Sequence, residues 1–250
     1  MTATFLVSLR TKLFDTLKKL MLHQLLPLVL LLSTVLAFTS TLSKAQTVTD
    51  QIKVMHYNLL RYGQNGCRSL SDKNTYLKNV YDYYKPDVIT ANELVPSARN
   101  ANSIRDNVLN TDGRTAYKRA ELTNRANSGI VNMLYYNSNK VGLAKQAVSN
   151  TELRDINHYK LYHKPDGLTK NSDTTFFWVA TMHLKAGGGA GLRGEMAGKA
   201  MGYAQRVSAT TPYLMTGDMN LQNDQEEAYQ VFTDPPRNDW YAFHDPLDLE

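Results

Sequence analysis

Apolar and polar residues are spaced in two different ways in the first half of the chain. Between residues 52 and 57 they alternate, which is typical of a strand with one buried face. Further on, Ser71 can cap an amphipathic helix that must end before Pro86, since proline cannot continue it. The predicted apolar face of this helix comprises Tyr76, Leu77, Val80, Tyr81 and Tyr84. A second amphipathic helix is expected around Ile104, Val108 and Leu109.

From residue 115 onward the pattern changes to short strands separated by Asn, Ser, Asp and Gly turns, which implies antiparallel pairing. The predicted strands cover residues 117–120, 129–136, 141–148, 153–162 and 174–184. A helix over about 192–207 precedes a strand over 213–216. Asn223 with Glu226 fits a capping box at the start of a last short helix. Helices and strands in this order favour a layered α/β sandwich.

The first 45 residues have the composition of an export signal. A basic lead precedes the apolar stretch 25–38, and small residues stand before a possible cut ahead of Gln46. The alternative is an uncleaved anchor, because residues 20–38 approach the roughly 20 apolar residues that span a bilayer. We therefore expect a domain over 46–250 that is secreted or periplasmic, with membrane contact only if the first segment is retained.

Charge gives no direct evidence for a nucleic-acid partner. The chain has 28 Lys and Arg against 23 Asp and Glu, a net charge of +5. Residues 1–45 hold five of these cations and one of these anions, so the remainder has a net charge of only +1. A basic face on the folded domain would be needed for that inference. Cys67 is the single cysteine, which excludes an intrachain disulfide.

Asn58 and Glu93 are the candidate metal-binding residues. Each closes an apolar, strand-like run, and alternation would place Glu93 on the same face as Ile89 and Ala91. A carboxylate that closes a buried strand needs a partner, because an unpaired charge there is costly. A divalent cation would supply one, and a salt bridge to Arg or Lys is the alternative. For Asn58 the alternative is a turn-forming role.

His183, Asp218 and Asn220 are the candidate catalytic residues. His183 ends a strand that is apolar on both faces, where an imidazole can donate to a phosphate oxygen or protonate a leaving alkoxide. Gly217 lets the backbone approach a ligand, and the period of two aims Asp218 and Asn220 to one side. The alternatives are a packing role for His183 and an Asx turn at Asp218.

Together, the segments MHYNLLRYG, PDVITANEL, TMHLKAG and TGDMN resemble the endonuclease/exonuclease/phosphatase superfamily, which includes deoxyribonuclease I. The resemblance covers roughly residues 51–232 and implies a four-layer α/β sandwich, with two packed mixed or antiparallel sheets flanked by helices. It also implies a cofactor, Mg²⁺ or else Mn²⁺ or Ca²⁺, because hard oxygen donors favour these cations over zinc.

The resemblance also implies roles for the five side chains. The residue matching Glu93 is the principal metal ligand of the superfamily, and the one matching Asn58 braces the metal-bound water or a phosphoryl oxygen. By the same resemblance, Asp218 orients the attacking water, Asn220 holds a phosphate oxygen and His183 stabilises the departing oxygen.

The sequence departs from the superfamily at two places. The deoxyribonuclease branch has a second Glu near the strand that here reads NSGIV at 127–131, where no acid stands. The closing Asp-His element, which supplies the general base, has no counterpart, since His244 and Asp245 stand in the reverse order. We therefore expect a C-terminally truncated chain that lacks the last strands of the fold and, with them, the Asp-His element.

The predicted function is a divalent-metal-dependent phosphodiesterase, with a secreted nuclease as the main hypothesis and nucleic acid as its substrate. The alternatives are a phosphatase or phosphodiesterase of the same superfamily that acts on a phospholipid or sugar phosphate, and a non-catalytic binding module on the same fold. The sequence contains none of the motifs GxxxxGK(S/T), HExxH, CxxC and GxSxG. It therefore does not support a nucleotide triphosphatase, a zinc protease or a serine hydrolase. No protein partner is implied.

Overall fold

The computed structural model describes residues 51–64, 68–164, 174–207, 210–235 and 242–245. The predicted export segment over 1–45 and Cys67 lie outside the described residues, so both predictions about them stay predictions. In the described part of the chain, no helix is both long and apolar enough to span a bilayer.

The described strands form two sheets of four. The first sheet contains β1 (Val54–Tyr62), β2 (Val88–Leu94), β3 (Tyr117–Arg119) and β4 (Val131–Asn137). Its strand order is β1-β2-β4-β3. β1 and β2 are parallel, and β4 is antiparallel to both of its neighbours. Parallel pairing brings the carboxyl ends of β1 and β2 to the same end of the sheet.

The second sheet repeats this combination of parallel and antiparallel pairs. It contains β5 (Val141–Ser149), β6 (Ile156–His163), β7 (Phe176–His183) and β8 (Tyr213–Asp218), in that order. The pairs β5–β6 and β6–β7 are antiparallel, and β7–β8 is parallel. All five strands predicted between residues 115 and 185 are present. Antiparallel pairing is confirmed within each sheet, whereas β4 and β5 belong to different sheets.

Helices flank the two sheets. They are α1 (Leu70–Tyr84), α2 (Ala98–Ile104), α3 (Ala190–Val207) and α4 (Glu227–Thr233). A π-helical turn over Arg105–Leu109 continues α2, so the second predicted amphipathic helix is formed by these two elements together. The predicted fold class, an α/β sandwich of two mixed sheets flanked by helices, is confirmed.

Polar contacts as well as apolar ones join the facing sheets. Thr90 on β2 and Thr216 on β8 have hydroxyl oxygens 2.9 Å apart. Asn92, also on β2, donates to the Thr181 hydroxyl on β7 at 3.3 Å and to the Asn132 side chain at 2.7 Å. All except Thr216 are buried, where unpaired polar groups would be costly. The network therefore fixes the position of β2 against β7 and β8.

The start and the apolar face of α1 differ from the prediction. Ser69, and not Ser71, is the N-cap, and its hydroxyl accepts from the backbone N–H of Asp72 at 3.1 Å. Tyr76 and Tyr84 are exposed. The other three predicted residues lie in the packed stripe, with Leu77 and Tyr81 buried and Val80 half-buried, and Leu70 and Asn74 belong to it as well. A polar residue interrupts this stripe, because Asn74 accepts from the Tyr62 hydroxyl and donates to the Ser103 hydroxyl. The predicted face is thus right for Leu77, Val80 and Tyr81 and wrong for Tyr76 and Tyr84.

The predicted capping box at the last helix is wrong. α4 begins at Glu227, and the N-cap residue Glu226 makes no side-chain capping bond. Its carboxylate instead binds the buried guanidinium of Arg193, with two N···O distances of 2.7 Å. Asn223 accepts from the backbone N–H of Gln225 at 3.0 Å. A bidentate charge-assisted pair is a stronger partner for the Glu226 carboxylate than a helix N–H group.

Candidate active site

Four of the five candidate residues meet at the carboxyl ends of β1, β2, β7 and β8. The Asn58 amide nitrogen lies 3.2 Å from Glu93 Oε1 and 3.0 Å from Asp218 Oδ2. His183 Nε2 lies 3.9 Å from the same Glu93 oxygen and 3.8 Å from the same Asp218 oxygen. Asn58 and Glu93 come from the first sheet, and His183 and Asp218 come from the second. The site is therefore assembled across the interface between the sheets.

Asn58 uses the two polar atoms of its side chain for different contacts. Its Oδ1 accepts from the backbone N–H of Leu60 at 2.9 Å. This bond forms an Asx turn, which is the turn-forming role that the sequence analysis gave as the alternative for Asn58. Its Nδ2 donates to the two carboxylates. In this orientation the amide presents hydrogen atoms, and not oxygen, toward them. Direct metal binding by Asn58 would require the amide to rotate.

Glu93 reaches the site because the backbone departs from regular strand geometry. Its φ is +59°, in the left-handed region that non-glycine residues rarely adopt, and the register of β2 against β4 shifts between Ala91 and Leu94. The prediction that Glu93 shares a face with Ile89 and Ala91 is therefore wrong, since its carboxylate turns toward His183 on the second sheet.

The other Glu93 oxygen is also held. Oε2 accepts from the backbone N–H of Arg61 at 3.1 Å, where β1 has two successive left-handed residues, Leu60 and Arg61. In the described part of the chain, no Lys or Arg side chain lies within 4.0 Å of the Glu93 carboxylate. The alternative interpretation, a salt bridge to Lys or Arg, is thus not realised among these residues.

The position of Asp218 depends on the preceding residue, Gly217, where there is no room for a side chain. Gly217 has φ +150°, and a Cβ there would lie 2.0 Å from the carbonyl oxygen of Met182. The Asp218 N–H donates to Asn92 Oδ1 at 2.9 Å, which connects β8 to the first sheet. Asp218 Oδ1 accepts from the Asn220 N–H at 3.2 Å in an Asx turn, so Oδ2 is the oxygen that faces Asn58 and His183.

Asn220 lies beside the other four residues and contacts them through Asp218. Its φ is +50°, and its amide nitrogen donates to the carbonyl oxygen of Leu184 at 3.2 Å. It therefore holds the chain just beyond His183. Met219, between Asp218 and Asn220, packs in the apolar cluster formed with α3 and α4, in agreement with the predicted alternation.

His183 is buried and stands opposite Asp218 in the register of β7 and β8. Burial lowers its pKa, as does the positive charge of Arg154, while Asp218 and Glu93 oppose this shift. Its Nδ1 has no hydrogen-bond partner among the described residues. His56 has a structural contact of its own, since its Nδ1 lies 3.0 Å from the Thr90 hydroxyl.

Arg154 belongs to the site but was missed by the sequence analysis. It lies in the loop before β6 and donates from one Nη atom to the carbonyl oxygens of His183 at 3.0 Å and Leu184 at 2.9 Å. Burial lowers the pKa of its guanidinium, and the negative charges of Glu93 and Asp218 oppose that shift. A lone arginine in a loop carries no motif, so only the fold reveals its position.

The donor set suits a hard divalent cation. Two carboxylate oxygens, from Glu93 and Asp218, share the neighbours Asn58 Nδ2 and His183 Nε2, and a cation would relieve the repulsion between the two negative charges. In the described part of the chain, no three His, Cys, Asp or Glu side chains form a ready set of ligands. Mg²⁺ is commonly bound through one or two carboxylates, with water and substrate phosphate at its other positions.

Comparisons with known proteins give the fold. No family model matches the chain, and no curated protein matches its sequence. Among solved structures, the human Nocturnin catalytic domain with bound sulfate has a TM-score of 0.54 at 20% identity, over 72% of this chain and 68% of that one. An endonuclease/exonuclease/phosphatase family protein from Bacteroides thetaiotaomicron has a TM-score of 0.55 at 14% identity, over 72% and 67%.

A third similar structure is that of D. rerio TDP2 complexed with a single-strand DNA product. Its TM-score is 0.51 at 13% identity, over 69% of this chain and 62% of that one. The chain thus spans about two thirds of the length of these structures. At such identities the likeness shows a shared fold, that of the endonuclease/exonuclease/phosphatase structures.

Proposed function

We propose that this chain is a divalent-metal-dependent phosphodiesterase of the endonuclease/exonuclease/phosphatase superfamily, and that its substrate is nucleic acid. The supporting observation is the meeting of Asn58, Glu93, His183 and Asp218 from four strand ends. Two carboxylates, an amide and an imidazole in one site supply metal ligands, a hydrogen-bond donor and a proton donor or acceptor. These are the groups that metal-assisted phosphoester hydrolysis requires.

The proposed substrate class rests on the fold neighbours. The structure of D. rerio TDP2 holds a single-strand DNA product, which supports a nucleic-acid substrate on this fold. A phospholipid also presents a phosphodiester, and a sugar phosphate presents a phosphate monoester. The assays below distinguish these substrates.

Glu93 and Asp218 would hold the cation, with Asn58 bracing both carboxylates. The bound cation would polarise the scissile phosphate and stabilise the charge that develops on its oxygens. Asp218 would also orient a water molecule for attack. His183 Nε2, 3.8 Å from Asp218 Oδ2, can donate to the departing oxygen. Arg154 keeps the end of β7 in place through two carbonyl oxygens and adds positive charge near the phosphate.

A degradation assay tests the proposal. Plasmid DNA, RNA, a phosphatidylcholine vesicle and a sugar phosphate are incubated with the chain in Mg²⁺, after EDTA treatment, and after Mg²⁺ is restored. We expect nucleic acid to be cleaved, cleavage to stop on chelation, and Asp218→Ala to be inactive while the exposed Asp224→Ala control stays active. Cleavage that persists in EDTA contradicts the metal dependence. Stable DNA binding without turnover favours a non-catalytic module.

We further propose that the enzyme acts outside the cytoplasm, as a secreted or periplasmic protein. The support is the basic lead and apolar stretch within residues 1–45. Expression in a bacterial host, fractionation and N-terminal sequencing test this proposal. A mature protein that begins at Gln46 in the medium or periplasm is expected. An uncleaved chain in the membrane fraction would support the anchor instead.

A further inference from the structure

A second cavity lies at the amino end of the parallel strands β1 and β2. Its volume is about 630 Å³, and Lys53 and Asp87, which directly precede these strands, are part of its lining. Asn58 and Glu93 lie further along the same strands, so at about 3.3 Å per strand residue the two sites are roughly 15–20 Å apart. We name this space the amino-end cavity. Its size is within the usual range for small-molecule sites.

Cations outnumber anions around the amino-end cavity. The charged lining residues are Lys53, Lys85, Arg114 and Lys140 against Asp82 and Asp87. Both carboxylates are already engaged. Asp82 contacts Arg114 at 2.5 Å and Lys78 at 2.6 Å. Asp87 accepts from the Lys53 backbone N–H at 2.9 Å and lies 3.5 Å from the Lys140 ammonium.

Two ammonium groups of the lining have no counterion among the residues that the structure describes. The side chains of Lys53 and Lys85 are exposed, and neither has a carboxylate within 4.0 Å in the part of the chain that the structure describes. They belong to neighbouring backbone segments, because the Lys53 carbonyl oxygen accepts from the N–H of Asp87 at 2.8 Å, two residues after Lys85. Two long, flexible side chains so placed can reach one ligand in the cavity.

The position of Lys85 is unusual in its own right. It is the C-cap of α1 with φ +48°, a left-handed conformation in which glycine or asparagine is the common residue. A lysine there brings an ammonium group to the cavity at a conformational cost. Leu109 and the rings of Tyr81 and Tyr117 give the same cavity an apolar part.

We propose that the amino-end cavity binds a phosphate monoester, with Lys53 and Lys85 as the residues that engage the phosphate. A dianion matches two uncompensated positive charges. Lysine binds phosphate as a point charge, whereas planar carboxylates are better matched by arginine, and Arg114 is already paired with Asp82. The apolar part of the cavity suits the organic group of a monoester. This site is independent of the proposed hydrolysis.

Calorimetric titration of the full chain in EDTA tests the proposal, because chelation removes any contribution from a metal at Glu93. The probes are inorganic phosphate and adenosine 5′-monophosphate. We expect both to bind, the monoester more tightly, and we expect Lys53→Gln with Lys85→Gln to weaken binding at least roughly tenfold. The matched control is Lys118→Gln with Lys145→Gln, which removes two exposed lysines outside the cavity and should leave affinity unchanged.

Two results would overturn the proposal. One is the absence of heat for both probes with the wild-type chain. The other is equal affinity in the wild-type chain and in the Lys53→Gln, Lys85→Gln variant, which would place the phosphate elsewhere. Since both lysines are exposed, the variant should fold normally, and its unfolding temperature verifies this.

Discussion

The Asn58 amide nitrogen donates to Asp218 Oδ2 at 3.0 Å across the interface between the two sheets. These residues are 160 positions apart in the chain, and the same nitrogen also contacts Glu93 Oε1 at 3.2 Å. One amide thus separates two carboxylates that would otherwise repel each other. The contact couples the packing of the sheets to the geometry of the candidate site.

Asn58→Ala should therefore impair the site more than the fold. Without the amide, Glu93 and Asp218 lose their shared donor and their orientation, and we expect turnover on DNA to fall roughly 10²- to 10³-fold. Steady-state cleavage rates measure this effect. Asn150→Ala, at an exposed asparagine outside the site, should keep normal turnover. Equal rates for the two variants would contradict the role given to Asn58.

The sequence predicted the strands and the residues at their ends because apolar runs and polar interruptions are local features. It also suggested two functions for Asn58 and for Asp218, and the structure shows that each makes an Asx turn with one atom and faces the site with another. The alternatives were not exclusive. A pattern of residue types cannot show how the separate atoms of one side chain are used.

Other features depend on contacts that no local pattern records. Strand alternation misplaced Glu93 because its backbone is left-handed and its carboxylate accepts from the Arg61 N–H of another strand. Arg154 was missed because its partners are backbone carbonyl oxygens, which leave no trace in residue identity. The capping box failed because Arg193, 33 residues before Glu226, is the stronger partner. In each case a long-range contact outweighed a local preference.

Two glycine-to-alanine substitutions should have opposite effects. At Gly217 the added Cβ would meet the Met182 carbonyl oxygen at 2.0 Å with φ at +150°, so we expect a loss of at least about 2 kcal/mol in the free energy of unfolding. At Gly198, within α3, nothing lies within 4 Å of the added Cβ, and alanine should stabilise by roughly 0.5–1 kcal/mol. Urea unfolding measures both. A neutral Gly217→Ala would show that β8 can shift away from β7.

Arg154→Met should lower turnover by roughly ten- to a hundredfold while the fold persists. The substitution removes the donor to the carbonyl oxygens of His183 and Leu184 and a positive charge near Glu93. Arg154→Lys restores the charge without the planar guanidinium, so partial recovery of turnover is expected. Arg125→Met, at an exposed arginine, is the control. Unchanged turnover in Arg154→Met would exclude it from the site.

The Arg193–Glu226 pair should matter more for stability than a surface pair. Glu226→Gln leaves the Arg193 guanidinium buried without its anion, whereas Asp106→Asn removes the partner of the more exposed Arg105. We expect a clear fall in the midpoint of thermal unfolding for the first substitution and little change for the second. Similar unfolding midpoints for the two variants would mean that water solvates the Arg193 guanidinium when its anion is removed.

Arg193→Met should in addition lower turnover. One Nη atom of Arg193 donates to the carbonyl oxygens of Lys185 at 2.8 Å and Gly187 at 2.7 Å, and the substitution removes both bonds. These bonds hold the start of the glycine-rich loop that follows His183. Combining Arg193→Met with Glu226→Leu removes the buried charges together and should recover part of the stability without recovering turnover. Full recovery of both would show that the loop needs no such tether.

The pH dependence of stability should reveal the buried His158. Burial, with a smaller effect of the Arg206 charge, lowers its pKa to about 3, while its ring is stacked on Tyr203 and bonded to the hydroxyls of Tyr213 and Ser149. The unfolded chain takes up this proton near pH 6.5, so stability is lost as pH falls from 6.5 toward 3. Between pH 7 and 5 this group alone should cost about 2 kcal/mol.

Urea unfolding at pH 7 and pH 5 measures the effect when the wild-type chain is compared with His158→Gln. The variant should be less stable at pH 7, because it loses the stacked ring, yet the difference from wild type should shrink at pH 5 since glutamine takes up no proton. His244→Gln, at an exposed histidine, should preserve the pH dependence of the wild-type chain. If His158→Gln and wild type lose the same free energy between the two pH values, His158 is protonated as readily in the folded state as in the unfolded one.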